Sequence, residues 1–274
     1  MQKMLFTFLL LVAAFSNHAI AQGDDDIKYT NGKYEGPYVN GKKEGMGKAT
    51  YNDGSSYTGE WKNDRRNGIG RAIFKDGSSY YGDWKNDMRC GTGTYEFRNG
   101  DQYTGQFENN QIHGAGTYRY ANGNKYTGEI NHGVISGKGT FIYTGGDRYD
   151  GPVVNGLKSG KGKYFFANGN MYEGNFTADR KDGFGKMVFA NGDVYEGEFN
   201  NNHRTGKGTF TWANGNVYMG AFANGLMNGQ GVFIWPNGDR YVGTWENNIR
   251  DGKGKLITKT GEEVAEIYDN GVKQ

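Results

Sequence analysis

One signal recurs along this chain at a constant interval of 23 residues. A tyrosine followed two positions later by glycine stands at Tyr34, Tyr57, Tyr80, Tyr103, Tyr126, Tyr149, Tyr172, Tyr195, Tyr218 and Tyr241, with no insertion between them. A fixed period of this length is typical of proteins built from small stacked units. Such units bury their apolar faces against each other, so a hydrophobic content of 35% is sufficient without a central core.

Each unit has the pattern of a β-hairpin. Tyr57, Gly59 and Trp61 alternate with polar residues, and the segment from Gly68 to Phe74 alternates in the same way. Alternation with period two indicates a half-buried strand. The pair Asp76-Gly77 that follows favours a tight turn. The sequence therefore predicts an all-β fold in which about ten 23-residue hairpins continue one antiparallel sheet.

A regular register follows if Trp61 faces Gly68 and Gly59 faces Gly70. That register places opposite charges across from each other, which stabilises antiparallel strands. The predicted pairs are Glu35 with Lys48, Glu129 with Lys138, Asp150 with Lys163, Glu173 with Lys186 and Glu198 with Lys207. Aromatic rings can cover bare glycine backbone on a facing strand. We expect Gly68 to leave room for Trp61, and Gly70 to leave room for the ring of Trp84.

The combination of Tyr-x-Gly-x-(Trp/Phe), Gly-x-Gly and Asn-Gly at this period resembles the MORN repeat family. The resemblance covers about Asn31 to Gly271. It implies an elongated, twisted sheet bent into an open trough, with scaffold, partner-binding or lipid-binding roles and usually no catalysis. Val264-Ala265-Glu266 replaces Tyr-x-Gly near the end of the chain. The repeat ribbon is therefore expected to span 31–274 and to finish with a degenerate capping unit.

The first 21 residues do not follow the repeat. Lys3 precedes an apolar run from Met4 to Val12, and Ala19-Ile20-Ala21 supplies small residues for cleavage. These are the parts of a secretory signal peptide. We expect residues 1–21 to be removed and residues 22–30 to form a short acidic spacer. The protein is then exported to a periplasm, an outer envelope or the extracellular space.

Catalytic and nucleic-acid-binding functions find little support in the sequence. The net charge is +2, whereas a nucleic-acid binder needs a large cationic excess. His113, His132 and His203 each stand alone in a predicted turn, without a companion at metal-ligand spacing. We expect no enzymatic activity, no cofactor, no metal ligand and no nucleic-acid partner.

Two sets of residues are candidates for binding. The column after the first turn of each hairpin is basic in seven of ten units, at Lys43, Arg66, Arg89, Lys158, Lys181, Arg204 and Arg250. With strands ~4.8 Å apart, this basic column is expected to follow one long edge of the sheet. It could lie against anionic lipid or an acidic partner, or it could simply keep the turns soluble.

The second set consists of rings on an extended concave aromatic face. Its tryptophans are Trp61, Trp84, Trp212, Trp235 and Trp245. The leading hypothesis is a non-enzymatic scaffold whose aromatic face grips a protein partner. Binding of an anionic membrane through the basic column is an alternative, and binding of glycan or peptidoglycan by the rings is another, because Tyr and Trp are part apolar and part polar. The unpaired strand from Glu263 to Tyr268 is a candidate homodimer contact.

The cleavage site can be tested directly. Because Ala19 and Ala21 meet the small-residue requirement, we expect exported protein to begin at Gln22. Intact-mass analysis of the protein purified from its natural host should show the loss of residues 1–21. Retention of Met1 in exported protein would contradict this expectation.

Overall fold

The computed structural model describes residues 32–274. The predicted signal peptide at 1–21 and the acidic spacer at 22–30 lie outside these residues, so both stay predictions. Within residues 32–274 no helix is long and apolar enough to cross a membrane. The described chain contains no helix and forms one long antiparallel sheet that does not close on itself, which confirms the predicted fold class.

The strands follow one another closely along residues 32–274. They are β1 Gly32–Glu35, β2 Tyr38–Val39, β3 Lys42–Lys43, β4 Gly45–Tyr51, β5 Ser56–Lys62, β6 Arg65–Ile73, β7 Ser79–Lys85, β8 Met88–Glu96, β9 Gln102–Glu108, β10 Gln111–Arg119, β11 Lys125–Asn131, β12 Val134–Ile142, β13 Arg148–Val154, β14 Leu157–Lys158, β15 Gly160–Phe165, β16 Met171–Thr177, β17 Arg180–Val188, β18 Val194–Asn200, β19 His203–Thr211, β20 Val217–Ala223, β21 Leu226–Ile234, β22 Arg240–Glu246, β23 Ile249–Ile257, β24 Glu263–Asp269 and β25 Val272–Lys273.

Strand pairing follows chain order. Strand β1 pairs with β4, and from β4 to β13 each strand pairs with the next. Strand β13 pairs with both β14 and β15, and the order then continues from β15 to β25. Strands β2 and β3 pair only with each other. Each strand of residues 32–274 is therefore paired with strands close to it in the sequence, as expected for stacked hairpins.

Two kinds of turn connect the strands. Between β5 and β6, Asn63 and Asp64 both have positive φ, at 51° and 68°. Positive φ at both central residues defines the type I′ turn, which suits the twist of a two-residue hairpin. Between β6 and β7, Gly77 has a φ of 91° and Phe74 N donates to Ser78 O at 2.9 Å. The hairpin prediction is confirmed.

The register departs from the predicted one at a β-bulge. Gly59 faces Gly70 as expected, but the pairing then shifts, and Trp61 faces Arg66. Gly68 lies in the bulge with a φ of 72° and faces Trp84 of the next hairpin. Between these two pairs lie one residue of β5 and three of β6, so the residues beyond the bulge are displaced from the regular register. The predicted pairing of Trp61 with Gly68 is therefore wrong.

The bulge also changes two of the predicted charge pairs. Glu35 faces Lys48, Asp150 faces Lys163 and Glu173 faces Lys186, as predicted. Glu198 instead faces Thr205, and its Oε1 accepts a hydrogen bond from the backbone N of Lys207 at 3.2 Å. Glu129 lies at the equivalent register shift between β11 and β12, where its side chain contacts Gly137. The predicted pairs Glu198–Lys207 and Glu129–Lys138 are wrong, because these acids cover the bulge.

The core is a row of tyrosine rings lying over paired glycines. Tyr172 is fully buried, and a Cβ placed on Gly174 or Gly185 would collide with its ring. The Tyr172 hydroxyl donates to the carbonyl of Asn175 at 3.0 Å, which ties the ring to its own strand. The same bond recurs at Tyr57, Tyr80, Tyr103, Tyr126, Tyr149, Tyr195 and Tyr218. Tyrosine, and not tryptophan, therefore covers the glycine pair.

Tryptophan takes a neighbouring place in the same core. The indole N–H of Trp61 donates to Gly47 O at 3.2 Å, and that of Trp84 donates to Gly70 O at 3.0 Å. Each indole thus binds the preceding hairpin by the carbonyl of a paired glycine. The prediction that the Trp84 ring lies over Gly70 is therefore wrong. The Tyr57 ring fills the space over Gly70, and Trp84 forms a hydrogen bond with the Gly70 carbonyl.

Replacement of a paired glycine tests this core. In Gly185→Ala the new methyl group would overlap the Tyr172 ring. Overpacking of this kind costs about 1–3 kcal/mol. Gly145→Ala is the matched control, because a Cβ there has no heavy atom within 4 Å. Denaturant unfolding should show the loss only for Gly185→Ala. Equal stability of the two variants would contradict the ring-over-glycine arrangement.

Candidate binding surface

The basic column lies inside the fold rather than along an exposed edge. Each of its residues follows the first turn of a hairpin, and most face the ring that precedes that turn, as Arg66 faces Trp61 and Arg204 faces Phe199. Lys158 instead faces Val153. Arg66 is 4% exposed and Arg89 is 3% exposed. The expectation of a solvent-exposed basic edge is wrong for these two arginines. The bulge and the facing ring direct their side chains into the core.

Stacking and hydrogen bonds keep these buried cations in place. The guanidinium carbon of Arg66 lies 4.0 Å from the centroid of the Trp84 ring, and Arg66 Nη2 donates to Asp87 O at 2.8 Å. Arg89 Nη2 donates to Asn110 O at 2.6 Å, and its guanidinium lies over Tyr95. A cation over an aromatic face is attracted to the ring, more strongly when it is desolvated. The column therefore joins one hairpin to the next.

The lysines and the later arginines of the column behave similarly. Lys43 lies over Trp61, Lys158 pairs with Asp179 at 2.8 Å and Arg204 donates to Gly225 O. Arg250 Nη1 donates to the Tyr268 hydroxyl at 2.6 Å. Burial, with a contribution from nearby Arg204, lowers the pKa of Lys181 to about 8. A desolvated amine of this kind is a structural group and not a free surface charge.

The candidate tryptophans are also core residues. Trp61 and Trp84 are each 3% exposed, and Trp245 is 5% exposed. Trp212 and Trp235 are partly buried and pack against the same core. Most of the face that was expected to grip a partner is therefore filled by its own rings. A pocket of about 310 Å³ remains open beside Trp235 and Trp245. That expectation is wrong for Trp61, Trp84 and Trp245, since a single sheet has only these rings to bury.

The opposite side of the sheet, which we call the outer face, carries an open groove across β17 to β21. Its volume is about 660 Å³, and its lining includes Phe184, Val194, Glu196, Lys207, Thr209 and Met219. Phe184 is 57% exposed and Met219 is 44% exposed. Clefts of this size with apolar walls and a few polar groups are typical binding sites. We refer to it as the outer groove.

The repeat explains how these side chains reach the outer face. Phe184 stands between the glycines of Gly183-Phe184-Gly185, and Met219 stands between Tyr218 and Gly220. Successive side chains of a strand point to opposite faces. Because the tyrosines point inward, these intervening positions point outward. Sequence analysis did not identify Phe184 and Met219, because it relied on the repeat positions that keep the same residue type. The signal that points to these two residues is an apolar side chain at a repeat position that is usually polar.

Ion pairs cross the outer face beside the groove. Lys163 lies 3.2 Å from Glu173, and Lys186 lies 3.8 Å from Glu196. Both pairs join facing residues of adjacent strands. Such exposed pairs contribute little stability each. They give this face alternating charge beside the apolar groove.

Two further expectations can be compared with the structure. The histidines were expected to stand alone, yet the rings of His113 and His132 lie 4.5 Å apart, so that expectation is wrong for this pair. At the C-terminus, β25 covers Tyr268 and Asp269, and Gln274 N donates to Ile267 O. The chain itself thus protects part of the proposed homodimer strand. The dimer stays a prediction.

The fold and its core define a class of protein: an open antiparallel sheet built from similar, repeating hairpins. Ten consecutive MORN repeats are matched, at residues 34–56, 57–79, 80–102, 103–125, 126–148, 149–171, 172–194, 195–217, 218–240 and 241–263. The chain belongs to the MORN repeat family. We number these units as repeats 1 to 10.

Comparison with other proteins adds little beyond the family. No curated protein sequence matches this chain significantly. Among solved structures, a TCP domain of Drosophila melanogaster SAS-4 in complex with a proline-rich motif of Ana2 is 15% identical, with a TM-score of 0.38 over 57% of this chain and 86% of that one. The TCP10 domain of Danio rerio CPAP is 10% identical, with a TM-score of 0.27 over 85% of this chain and 93% of that one. These values do not establish a shared function.

Neighbouring arginines allow a matched test of the buried column. Arg66→Ala removes hydrogen bonds to Asp87 and the contact with Trp84, whereas Arg65 is exposed. Hydrogen bonds to charged groups contribute about 1.5–3 kcal/mol. We expect Arg66→Ala to lose stability of this order in urea unfolding, and Arg65→Ala to stay within about 0.5 kcal/mol of wild type. Equal effects would contradict a structural role for Arg66.

Proposed function

We propose that this protein is a non-enzymatic, exported scaffold that binds an extended segment of a protein partner in the outer groove. The observation that carries the proposal is the exposure of Phe184 and Met219 in the lining of an open groove, in a sheet whose other face is mostly filled by buried rings. The leader sequence supports export, and the MORN family supports a binding role.

The chemistry of the groove describes the segment that fits it. Phe184, Val194 and Met219 offer apolar contacts, while Thr209 and Gln230 offer hydrogen-bonding groups. Glu196 and Lys207 place one charge of each sign along the lining. A complementary partner presents apolar side chains with polar and charged groups between them. Full burial of a residue such as Phe or Met contributes about 1.5–3 kcal/mol, so these two would dominate affinity.

Two alternatives, membrane binding through the basic column and glycan binding by the aromatic face, receive less support from the side-chain positions. A flat anionic membrane attracts cationic groups that reach its surface. Arg66 and Arg89 cannot reach it while they are packed under rings. Glycan binding requires accessible ring faces, whereas Trp61 and Trp84 are buried. We therefore assign partner binding to the outer groove and not to the basic column or the aromatic face.

The repeat supplies a matched control for a binding experiment. Phe184 and Met219 occupy the same repeat positions as Ile69 and Tyr81, which are 50% and 58% exposed on the outer face. Photo-crosslinking residues placed at 184 and 69 in the natural host should capture one protein from 184 and not from 69. That protein, once purified, should bind wild type and the double variant Ile69→Ser, Tyr81→Ser with equal affinity.

The corresponding double variant of the groove, Phe184→Ser with Met219→Ser, should bind at least about tenfold more weakly, as expected for the loss of more than 1.4 kcal/mol. All four positions are exposed, so the unfolding midpoints should stay close to wild type. Equal binding by the two double variants would refute the outer groove as the binding site. Crosslinking of lipid alone at 184 would refute a protein partner.

A further inference from the structure

Three potential metal ligands meet where repeats 4 and 5 adjoin. They are Glu108 at the end of β9, His113 in β10 and His132 in the turn before β12. One ligand atom from each residue lies within 4.8 Å of those of the other two. Among residues 32–274, no other set of three His, Cys, Asp or Glu residues comes together in this way. The cluster is separate from the outer groove.

Hairpin stacking brings these distant positions together. Glu108 faces Gln111 across the first turn of repeat 4, and His113 follows within the bulge between Ile112 and Gly116. In repeat 5, Gly133 N donates to Ile112 O at 2.8 Å, which fixes the turn containing His132 beside His113. His132 has a φ of 47° and stands where most other repeats have asparagine. Histidine, like asparagine and aspartate, is enriched among non-glycine residues with positive φ. The turn geometry is therefore compatible with histidine, and the ring of His132 lies 4.5 Å from that of His113.

The hydrogen bonds leave nitrogen lone pairs available. His132 Nδ1 lies 2.7 Å from Asn131 Oδ1. Because a carbonyl oxygen only accepts, Nδ1 carries the proton and Nε2 keeps its lone pair. A hydrogen bond of this kind orients metal-binding histidines. His113 Nε2 lies 3.7 Å from Glu108 Oε2, and its Nδ1 is buried without a hydrogen-bond partner.

The donor set suits a transition metal. Two imidazoles and one carboxylate form a known ligand set for Zn²⁺, in which the fourth position stays open to water. Imidazole also suits copper and nickel. Ligand atoms at 2.0–2.1 Å from a tetrahedral ion are about 3.3 Å apart. Because the ligand atoms lie within 4.8 Å of one another, the cluster needs to contract by at most about 1.5 Å, which rotamer changes in accessible side chains can supply.

Local charge and access are also compatible with a cation. The basic column is interrupted at Ile112 and Ile135, in the same two repeats that carry His113 and His132. The column therefore places no cation in these repeats. The side chains of Glu108 and His113 are 56% and 37% exposed, so an ion can enter from solvent. We propose that Glu108, His113 and His132 form a binding site for one divalent transition-metal ion that joins repeats 4 and 5.

Zinc titration of the untagged full chain tests this proposal. Isothermal calorimetry with Zn²⁺ should show one site. His113→Gln and His132→Gln should each weaken binding at least about tenfold, the lower range for loss of groups around a metal. His203→Gln is the matched control: His203 follows the equivalent first turn of repeat 8 and belongs to no such cluster among the described residues. Its variant should bind Zn²⁺ as wild type does.

A second readout identifies the ligands. Co²⁺ added to wild type should give the intense visible absorption of a tetrahedral complex with nitrogen ligands, and His132→Gln should lose it. His132 is exposed in a turn, so this variant should fold normally even if His113→Gln does not. Unchanged Zn²⁺ affinity in His132→Gln would overturn the proposal. Equal weakening by His203→Gln would also overturn it, as would Zn²⁺ binding that survives the loss of both His113 and His132.

Discussion

A tyrosine ring lying over two facing glycines is the interaction on which this sheet depends. A single sheet has no second layer to cover its apolar side, so each hairpin must supply its own cover. Tyr172 does so over Gly174 and Gly185, and its hydroxyl bonds to the carbonyl of Asn175. The hydroxyl is thereby satisfied inside the core, where an unpaired polar group would be costly. Glycine weakens an isolated strand, but here its missing side chain creates the space that the ring fills.

Stacking of the turns explains why the period tolerates no insertion. Asp87 Oδ1 accepts a hydrogen bond from Arg66 N at 2.9 Å, and Asp87 N donates one to Arg66 O at 3.0 Å. The turn of one hairpin is thereby hydrogen-bonded to the preceding hairpin. On the other side, Asp101 Oδ1 accepts from Ala121 N at 2.7 Å. Adding or removing one residue would misalign both sets of bonds and reverse the faces of the strand. The fixed interval of 23 residues thus follows from hydrogen bonding at both ends of each hairpin.

Much of the fold could be predicted from sequence, because its determinants are local. Alternation around Tyr57 and the Asp76-Gly77 turn identified the hairpin, and facing Gly59 and Gly70 set the register at its centre. The bulge at Gly68 was missed, since a regular pattern gives no sign that a residue is unpaired. Arg66 was then placed on the surface, where cations usually lie. Arg66 is in fact buried because it stacks on Trp84, and that contact depends on how neighbouring hairpins lie in three dimensions. The candidate sites could be predicted from sequence even less well than the fold. His113 and His132 are 19 residues apart, a spacing that matches no local metal motif, and only hairpin stacking brings them together.

Because the strands pair in chain order, the distance between two surface features along the sheet is set by the number of repeats between them. Each repeat adds two strands, so it advances any surface feature by about 10 Å along the sheet. The histidine pair lies between repeats 4 and 5, and the outer groove spans repeats 7 to 9. Because each hairpin packs only on its neighbours, duplication or deletion of one whole repeat would change the spacing of these features in fixed steps without rebuilding a core. Distances between bound molecules can therefore evolve by repeat number alone, independently of the side chains that bind them.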